Sequence, residues 1–393
     1  MSARLLLSCG EASGDLYAGA LTRELLALDP SLRIAGLGGP QFAAAGGRLV
    51  DDYRELSVTG LTEWIPKLPR LLAARRRLVA AAQAERPDAL VLIDFSGFNF
   101  RLAPAIKRLG VPVIYYISPQ IWASRPGRLA TIRAIADRVL VIFPFEAAIY
   151  EKGGVPVEFV GHPLIDLAKP AATRERFLAE RGLTPSAPTV AILPGSRANE
   201  VSRILPDLAA AARLIGRGVP GAQFVVARAP HLDHGLFEPV SGGNGGARFT
   251  VVEGDTDTVL ASADVALTAS GTATVQAALH DTPMVVVYRM APLSYQLARR
   301  VVRLDTIAMV NLIAGEMIVP ELVQDAFTPE AVAREAISML TDPDRAARIR
   351  AGLATVRSRL GGPGASRRAA QAILRIADRG LRIQTKTKTK TGD

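Results

Sequence analysis

In AILPGSRANEVSRILP, residues 191–206, an apolar run meets Pro-Gly-Ser-Arg and then a helical pattern. Those types in that order suit an anion. Amide N–H groups at a helix start lack intrahelical partners, and the helix dipole places about half a positive charge there. Gly195 lets a ligand approach the backbone, Ser196 caps or donates, and Arg197 offers a planar fork to a phosphate. The stretch also reads as an ordinary strand-to-helix turn with an exposed arginine. It is neither a Walker A loop, which needs Gly-Lys-Ser/Thr, nor a G-x-G-x-x-G fingerprint. A second turn of this design lies in TASGTATVQAALHDTPMVVVYR, residues 268–289, where Ser270, Gly271 and Thr272 end a strand and open a helix. Gln276, one turn on, is placed to reach a ribose or base, and Arg289 supplies a second cation at the end of the next strand. Each turn alone reads as a capped helix. Two in one α/β domain point to a nucleotide diphosphate.

The first half carries acids instead. GEASGD (10–15) follows the first apolar run, with Asp15 read as the N-cap of the next helix and Glu11 and Ser13 directed into a cleft. ALVLID (89–94) ends in Asp94, a carboxylate at the carboxyl end of a central strand, where α/β enzymes place chemistry. Asp94 is a candidate general base, or the cap of the following helix. In LTEWIPKLPRLLAARRRLVAAA (61–82), Trp64, Ile65, Leu68, Leu71, Leu72 and Leu78 alternate with Lys67, Arg70, Arg75, Arg76 and Arg77. This is either a core stripe with a solvated basic face or an apolar patch with a cationic rim for anionic lipid.

The elements that must position these groups follow a βα rhythm. Near-continuous apolar runs separated by helical stretches argue for parallel sheets covered on both faces. Residues 166–189 carry charge and proline without strand character and read as a linker with one short helix, after which the rhythm restarts. From about 329 the pattern is helical, and TKTKTKTGD reads as a disordered tail. The expectation is two open α/β domains in tandem, with ligands at the carboxyl edges of their strands. One cysteine, Cys9, excludes a disulfide framework or a thiolate metal cluster, and four scattered histidines argue against zinc, although His231 and His234 lie close together. A net charge of +10 favours acidic partners, but 5% aromatic content and the lack of a basic arm argue against nucleic acid. No signal peptide or membrane span is read, so the cytoplasm is the expected compartment.

GEASGDLYAG, YYISPQIWASRPGR (115–128), FVGHPLID (159–166), LPGSRANEV (193–201), SGTATVQAAL (270–279), PMVVVYRM (283–290) and NLIAGEMIVPEL (311–322) together resemble the lipid-A-disaccharide synthase family, in that family's order. The resemblance implies a GT-B architecture, with two Rossmann-like doubly wound domains facing across a cleft. It places an acceptor and lipid domain over 1–166, a linker over 167–188, a UDP-sugar domain over 189–345, returning helices over 346–382 and the tail over 383–393. The implied enzyme is an inverting glycosyltransferase that condenses UDP-2,3-diacylglucosamine with 2,3-diacylglucosamine 1-phosphate (lipid X) to the β-1,6 disaccharide and UDP, without metal or cofactor. A UDP-sugar epimerase of similar build and a non-catalytic nucleotide-sugar binder at the membrane are the rival readings. Asp94 matches the family's base. Glu11, Ser13, Gly14 and Asp15 match the cleft loop, and Trp122, Arg125 and His162 match cleft-lining motifs. Gly195, Ser196, Arg197, Glu200, Ser270, Gly271, Thr272, Gln276, Arg289 and Asn311 match the UDP side. Residues 61–82 then fall where the family meets acyl chains or the inner face of the cytoplasmic membrane, and a homodimer stays open as the assembly. Three positions depart from the family: Gly97 where a second Asp is usual, Ser124 where Trp is frequent, and Gln276 where Glu is general.

Overall fold

The structure is a computed structural model that describes residues 3–56, 64–119, 127–241, 247–290 and 306–390, with backbone alone for 64–67 and 379–390. The chain forms two compact units, Met1–Leu167 together with Leu360–Asp393, and Ala168–Arg359.

In the first unit β1 (Arg4–Cys9), β2 (Arg33–Gly38), β3 (Arg48–Asp52), β4 (Ala89–Ile93), β5 (Val113–Tyr116), β6 (Arg138–Val141) and β7 (Val157–Phe159) form one parallel sheet in the order β3-β2-β1-β4-β5-β6-β7. Its central strands are apolar at consecutive positions because helices cover both faces. Leu71, Ala74, Leu78 and Ala82 of the helix Trp64–Glu85 pack with Leu102 and Ile106 of the helix Ser96–Lys107 against Leu90, Leu92, Val113 and Tyr115. The chain re-enters this unit at Leu360, whose carbonyl accepts from the His162 amide at 2.9 Å. The Asp166 carboxylate then accepts from Gly364 N at 2.9 Å and Ala365 N at 3.1 Å, capping the helix Ala365–Lys390 that packs on Ala12–Leu28.

In the second unit β8 (Thr189–Leu193), β9 (Gln223–Arg228), β10 (Phe249–Glu253), β11 (Val265–Ala269), β12 (Met284–Tyr288) and β13 (Glu321–Val323) form a second parallel sheet, ordered β10-β9-β8-β11-β12-β13. The helix Ala198–Gly218 buries Val201, Ile204, Leu205, Leu208, Ala212 and Ile215 at helical spacing.

Three boundaries differ from expectation. Residues 168–188 fold with the second unit instead of bridging as a linker: the helix Arg174–Ala179 buries Phe177 and Leu178, and the Arg174 guanidinium grips Asp264 at 2.9 and 3.0 Å. The return begins at 360, not 346, because the helix Pro343–Arg359 buries Ile349, Leu353 and Val356 within the second unit. The last helix continues to Lys390, across 383–390 where a disordered tail is expected. Lysine, a fair helix former, stands at 386, 388 and 390, following an already nucleated helix.

Candidate active site

Each sheet has one place where strand order reverses, between β1 and β4 in the first and between β8 and β11 in the second. The loops leaving the carboxyl ends of such a pair diverge to opposite faces and leave a crevice for ligands. The candidate loops leave those strands: 10–15 from β1, 94–97 from β4, 194–197 from β8 and 270–272 from β11.

In the first unit the backbone is strained at this edge. Glu11 (φ 121°), Asp94 (φ 44°), Phe95 (φ 46°) and Ile117 (φ 56°) all lie in the left-handed region that side chains disfavour. Asp94 is nonetheless closely held. Its amide donates to Ile117 O at 3.0 Å, and its carbonyl accepts from Asn99 Nδ2 at 2.8 Å and the Tyr115 hydroxyl at 2.7 Å. Asn99 is fully buried and accepts from Ser8 Oγ at 2.7 Å. Ser8, Asn99 and Tyr115 are residues that sequence reasoning missed. Each sits on an element whose apolar pattern explained it, and only the strand order β1-β4-β5 brings them together. The Phe95 ring stacks on Phe98 at 5.4 Å and occupies the space where Gly10 would carry a side chain, since a Cβ there meets Phe95 Cδ1 at 2.4 Å.

Two residues of this unit are engaged otherwise than expected. Asp15 does not cap its own helix, Ala12–Leu28, in which Glu11 holds the N-cap position. Its carboxylate is 2% exposed and accepts from Gly39 N, Gln41 N and Phe42 N at 2.7, 2.9 and 3.1 Å, capping the helix Pro40–Ala44. His162 is 2% exposed, packs edge-on to Tyr17 at 6.2 Å and against Phe143 at 5.2 Å, and takes the Leu164 amide on Nδ1 at 3.2 Å. Burial lowers its pKa to about 3, so the ring is neutral. Glu11 and Ser13 remain partly exposed, and Gly14 is buried. Trp122, Ser124 and Arg125 lie outside the described residues.

In the second unit the two turns sit side by side, because β8 and β11 pair with Leu193 opposite Thr268. Gly195 takes φ 121°, and a Cβ there would meet Glu200 Oε2 at 2.8 Å. Arg197 is the N-cap residue of Ala198–Gly218 with no side-chain cap, is exposed, and pairs with Glu200 through Nη1 at 3.0 Å. Gly271 takes φ 155° with ψ −161°, a region reserved for glycine, and opens Thr272–Leu279, again without a side-chain cap. A Cβ on Gly271 would meet open space, and Gly271 and Thr272 are exposed. Two helix starts whose N-cap residues give no side-chain cap and one exposed guanidinium therefore share one switch point, an arrangement suited to phosphates. Tyr288, at the end of β12, was missed by sequence reasoning. Burial raises its pKa, Glu200 raises it further and Arg197 opposes.

Three residues expected on the UDP side make contacts within the second unit. Arg289 pairs with Asp207, donates to Phe327 O and lies over the Phe327 ring at 4.5 Å. Asn311 is 1% exposed and uses both ends of its amide: Nδ2 donates to Val319 O and Glu321 Oε1 at 2.9 and 2.7 Å, while Oδ1 accepts from Ile318 N and Val319 N at 2.9 and 3.0 Å. Gln276 donates to Asp257 Oδ1 at 3.1 Å, which His280 Nε2 also meets at 2.9 Å. Ser270 stays at the site but its hydroxyl donates to Ile307 O at 3.2 Å. Among the described residues no group of three or more His, Cys, Asp or Glu could hold a metal ion.

The family model for lipid-A-disaccharide synthetase matches residues 5–376. The lipid-A-disaccharide synthase of Geobacter metallireducens is 42% identical over 373 residues, covering 95% of this chain and 97% of that protein. The enzyme of the same name from Myxococcus xanthus is 41% identical over 373 residues, with 95% and 97% covered. Solved structures of similar fold include UDP-GlcNAc 2-epimerase from Neisseria meningitidis bound to UDP-GlcNAc, with TM-score 0.69, 12% identity and 95% and 100% of the two chains covered. Acinetobacter baumannii MurG aligns with TM-score 0.57, 14% identity and 95% and 100% covered. At such identities the solved structures speak for the fold alone.

Proposed function

The chain belongs to the lipid-A-disaccharide synthase family and is a glycosyltransferase of lipid A biosynthesis; from that premise we propose that it transfers a diacylglucosamine unit from UDP to the primary hydroxyl of a diacylglucosamine 1-phosphate. The observation that carries the donor assignment is the pair of glycine-led helix starts side by side at the β8/β11 switch point, with Arg197 beside them. Leaving-group charge grows on the UDP β-phosphate as the sugar C1–O bond breaks, and amide dipoles together with a guanidinium stabilise that charge without reorganising. Gly195, Ser196, Arg197, Gly271 and Thr272 form this cradle, and Glu200 sets the resting position of Arg197 through their ion pair.

On the acceptor side Asp94 takes the hydroxyl proton as that oxygen bonds to C1, so the configuration at C1 inverts and UDP departs. Glu11 and Ser13 border the same edge. The helix Trp64–Glu85 offers exposed Leu68 and Leu72 one turn apart, beside exposed Arg70 and Arg76, which suits an anionic lipid surface at the inner face of the cytoplasmic membrane. No helix among the described residues is long and apolar enough to cross a membrane.

The test supplies UDP-2,3-diacylglucosamine with and without 2,3-diacylglucosamine 1-phosphate. Equimolar disaccharide and UDP, formed only when acceptor is present, is the expected result. UDP release without acceptor favours epimerase chemistry, and binding with no release under either condition favours a binder. Asp94→Asn is expected to lower kcat by a factor of about 10² or more with UDP affinity unchanged, and full activity in that variant removes Asp94 as base.

A further inference from the structure

Gln276, placed by its spacing to reach a ribose or base, turns its amide onto Asp257 instead. Asp257 is the second residue of the helix Thr256–Ala261, which follows β10 at the carboxyl edge of the second sheet and packs beside Thr272–Leu279. Its Oδ1 accepts from Gln276 Nε2 at 3.1 Å and from His280 Nε2 at 2.9 Å. A carboxylate only accepts, so both contacts have one sense: the amide presents its NH2, and the imidazole carries its proton on Nε2.

Capping does not account for this carboxylate. The N-cap of its helix is Asp255, which accepts from Thr258 N at 3.4 Å. The helix is anchored separately, since the buried Thr258 Oγ1 accepts from Ala171 N at 2.7 Å. Charge pairing does not account for it either. Among the described residues no lysine or arginine pairs with Asp257, and no donor meets its other oxygen, Oδ2. The side chain is 21% exposed, so one end of the group is fixed while it keeps an accepting oxygen and contact with solvent.

Helix geometry relates this group to the phosphate turn. Gln276 stands four residues, about one turn or 5.4 Å, after Thr272, and helical side chains lean back toward the amino end. The carboxylate that Gln276 touches therefore lies near the first turn of Thr272–Leu279, on the side of Thr256–Ala261. A ribose stands at a comparable distance from the diphosphate it carries. Its hydroxyls need acceptors, and a carboxylate binds hydroxyl donors about twice as strongly as a neutral amide oxygen does.

We propose that Asp257 is the ribose-binding carboxylate of the donor site, accepting from a hydroxyl of the nucleotide through Oδ2 while Gln276 and His280 hold Oδ1. This assignment rests on the reading of residues 270–272 as a phosphate turn of a UDP site. It also explains an amide at 276, where the family generally carries Glu. The negative charge stands on the neighbouring helix, and a second carboxylate at 276 would repel it in place of orienting it.

The experiment measures binding of UDP and of 2′,3′-dideoxy-UDP to the full chain by calorimetry, in wild type, Asp257→Ala and Asp257→Asn. The readout is the ratio of the two affinities. A general loosening of the site leaves that ratio unchanged, because both ligands share base and phosphates. Wild type is expected to prefer UDP about tenfold, the worth of a hydrogen bond to a charged group. In Asp257→Ala the preference is expected to drop to about twofold or less. Asp257→Asn keeps an oxygen for Gln276 and His280 and puts an NH2 in place of Oδ2, with an expected preference of about threefold or less. Wild type that does not distinguish the two ligands overturns the assignment and leaves the phosphate turn standing. A wild-type ratio retained in either variant also overturns it. Wild type that binds no UDP removes the turn and the ribose carboxylate together. Both variants are checked for folding by thermal melting; if Asp257→Ala melts early, Asp257→Asn decides.

Discussion

Asp94 and Phe95 are consecutive left-handed residues, each disfavoured by about 1–3 kcal/mol, and both persist because neighbours over-determine them. Ile117, Asn99 and Tyr115 hold the Asp94 backbone, and Gly10 makes room for the Phe95 ring. Gly10→Ala is expected to displace that ring, and with it Asp94, lowering kcat about tenfold with UDP affinity unchanged; steady-state kinetics beside UDP titration checks it. Asp15 belongs to a different class. Asp15→Asn weakens three amide hydrogen bonds to a buried carboxylate and is expected to cost about 2 kcal/mol of stability, measured by urea unfolding. An unchanged midpoint with lost activity would return Asp15 to the ligand. Residue types alone could not separate these cases. Asp15, Arg289, Asn311 and Gln276 all have chemistry suited to a sugar nucleotide, but folding gives them partners on other elements or loops, such as Asp207 for Arg289, 82 residues away, and Glu321 for Asn311. What was legible was the backbone signal: glycine followed by a helix start after an apolar strand, at 195 and 271.

At the scale of elements, the turn after β11 is tied to a segment that follows much later. Ser270 Oγ donates to Ile307 O, Ile307 N donates to Glu321 Oε2 at 2.8 Å, and Asn311 binds the other carboxylate oxygen, so β11, residues 306–308 and β13 form one hydrogen-bonded train. Asn311→Ala leaves buried amide and carbonyl groups unpaired. It is expected to cost about 2–4 kcal/mol and to weaken UDP binding through Ser270, a joint loss read by thermal melting and UDP titration. The helix Trp64–Glu85 makes a separate prediction. Arg77 is used by Asp51 and Arg75 by the Arg101 carbonyl, so exposed Leu68 and Leu72 are the groups to change. The pair Leu68→Asp with Leu72→Asp is expected to reduce sedimentation with anionic vesicles about tenfold and leave melting unchanged; undiminished sedimentation would send the membrane contact elsewhere. Central strands were legible as apolar runs, but β3 and β13 were not. Both lie at sheet edges, and β3 reads RLVDD and β13 only ELV, with no continuous apolar stretch to announce them.

For the molecule as a whole, His162 sets an acid limit. Its folded pKa is about 3 against an ordinary 6.5, so between those values the unfolded chain binds one more proton than the folded one. The contribution is fully present above pH 6.5 and drains as pH falls toward 3, by up to about 1.4 kcal/mol per pH unit. His162→Phe is expected to shrink the difference between urea midpoints at pH 7 and pH 4.5; an undiminished difference would assign the acid sensitivity to the carboxylates. The division of the chain has a consequence in time as well. The sheet made of residues 4–159 is translated first, yet the helix that covers its Ala12–Leu28 face begins at Ala365. The contiguous stretch 168–359 can close while still near the ribosome, whereas the earlier portion must wait, partly uncovered, for the final residues to emerge. Completion thus runs opposite to synthesis: the unit begun first is closed by the helix that begins at Ala365.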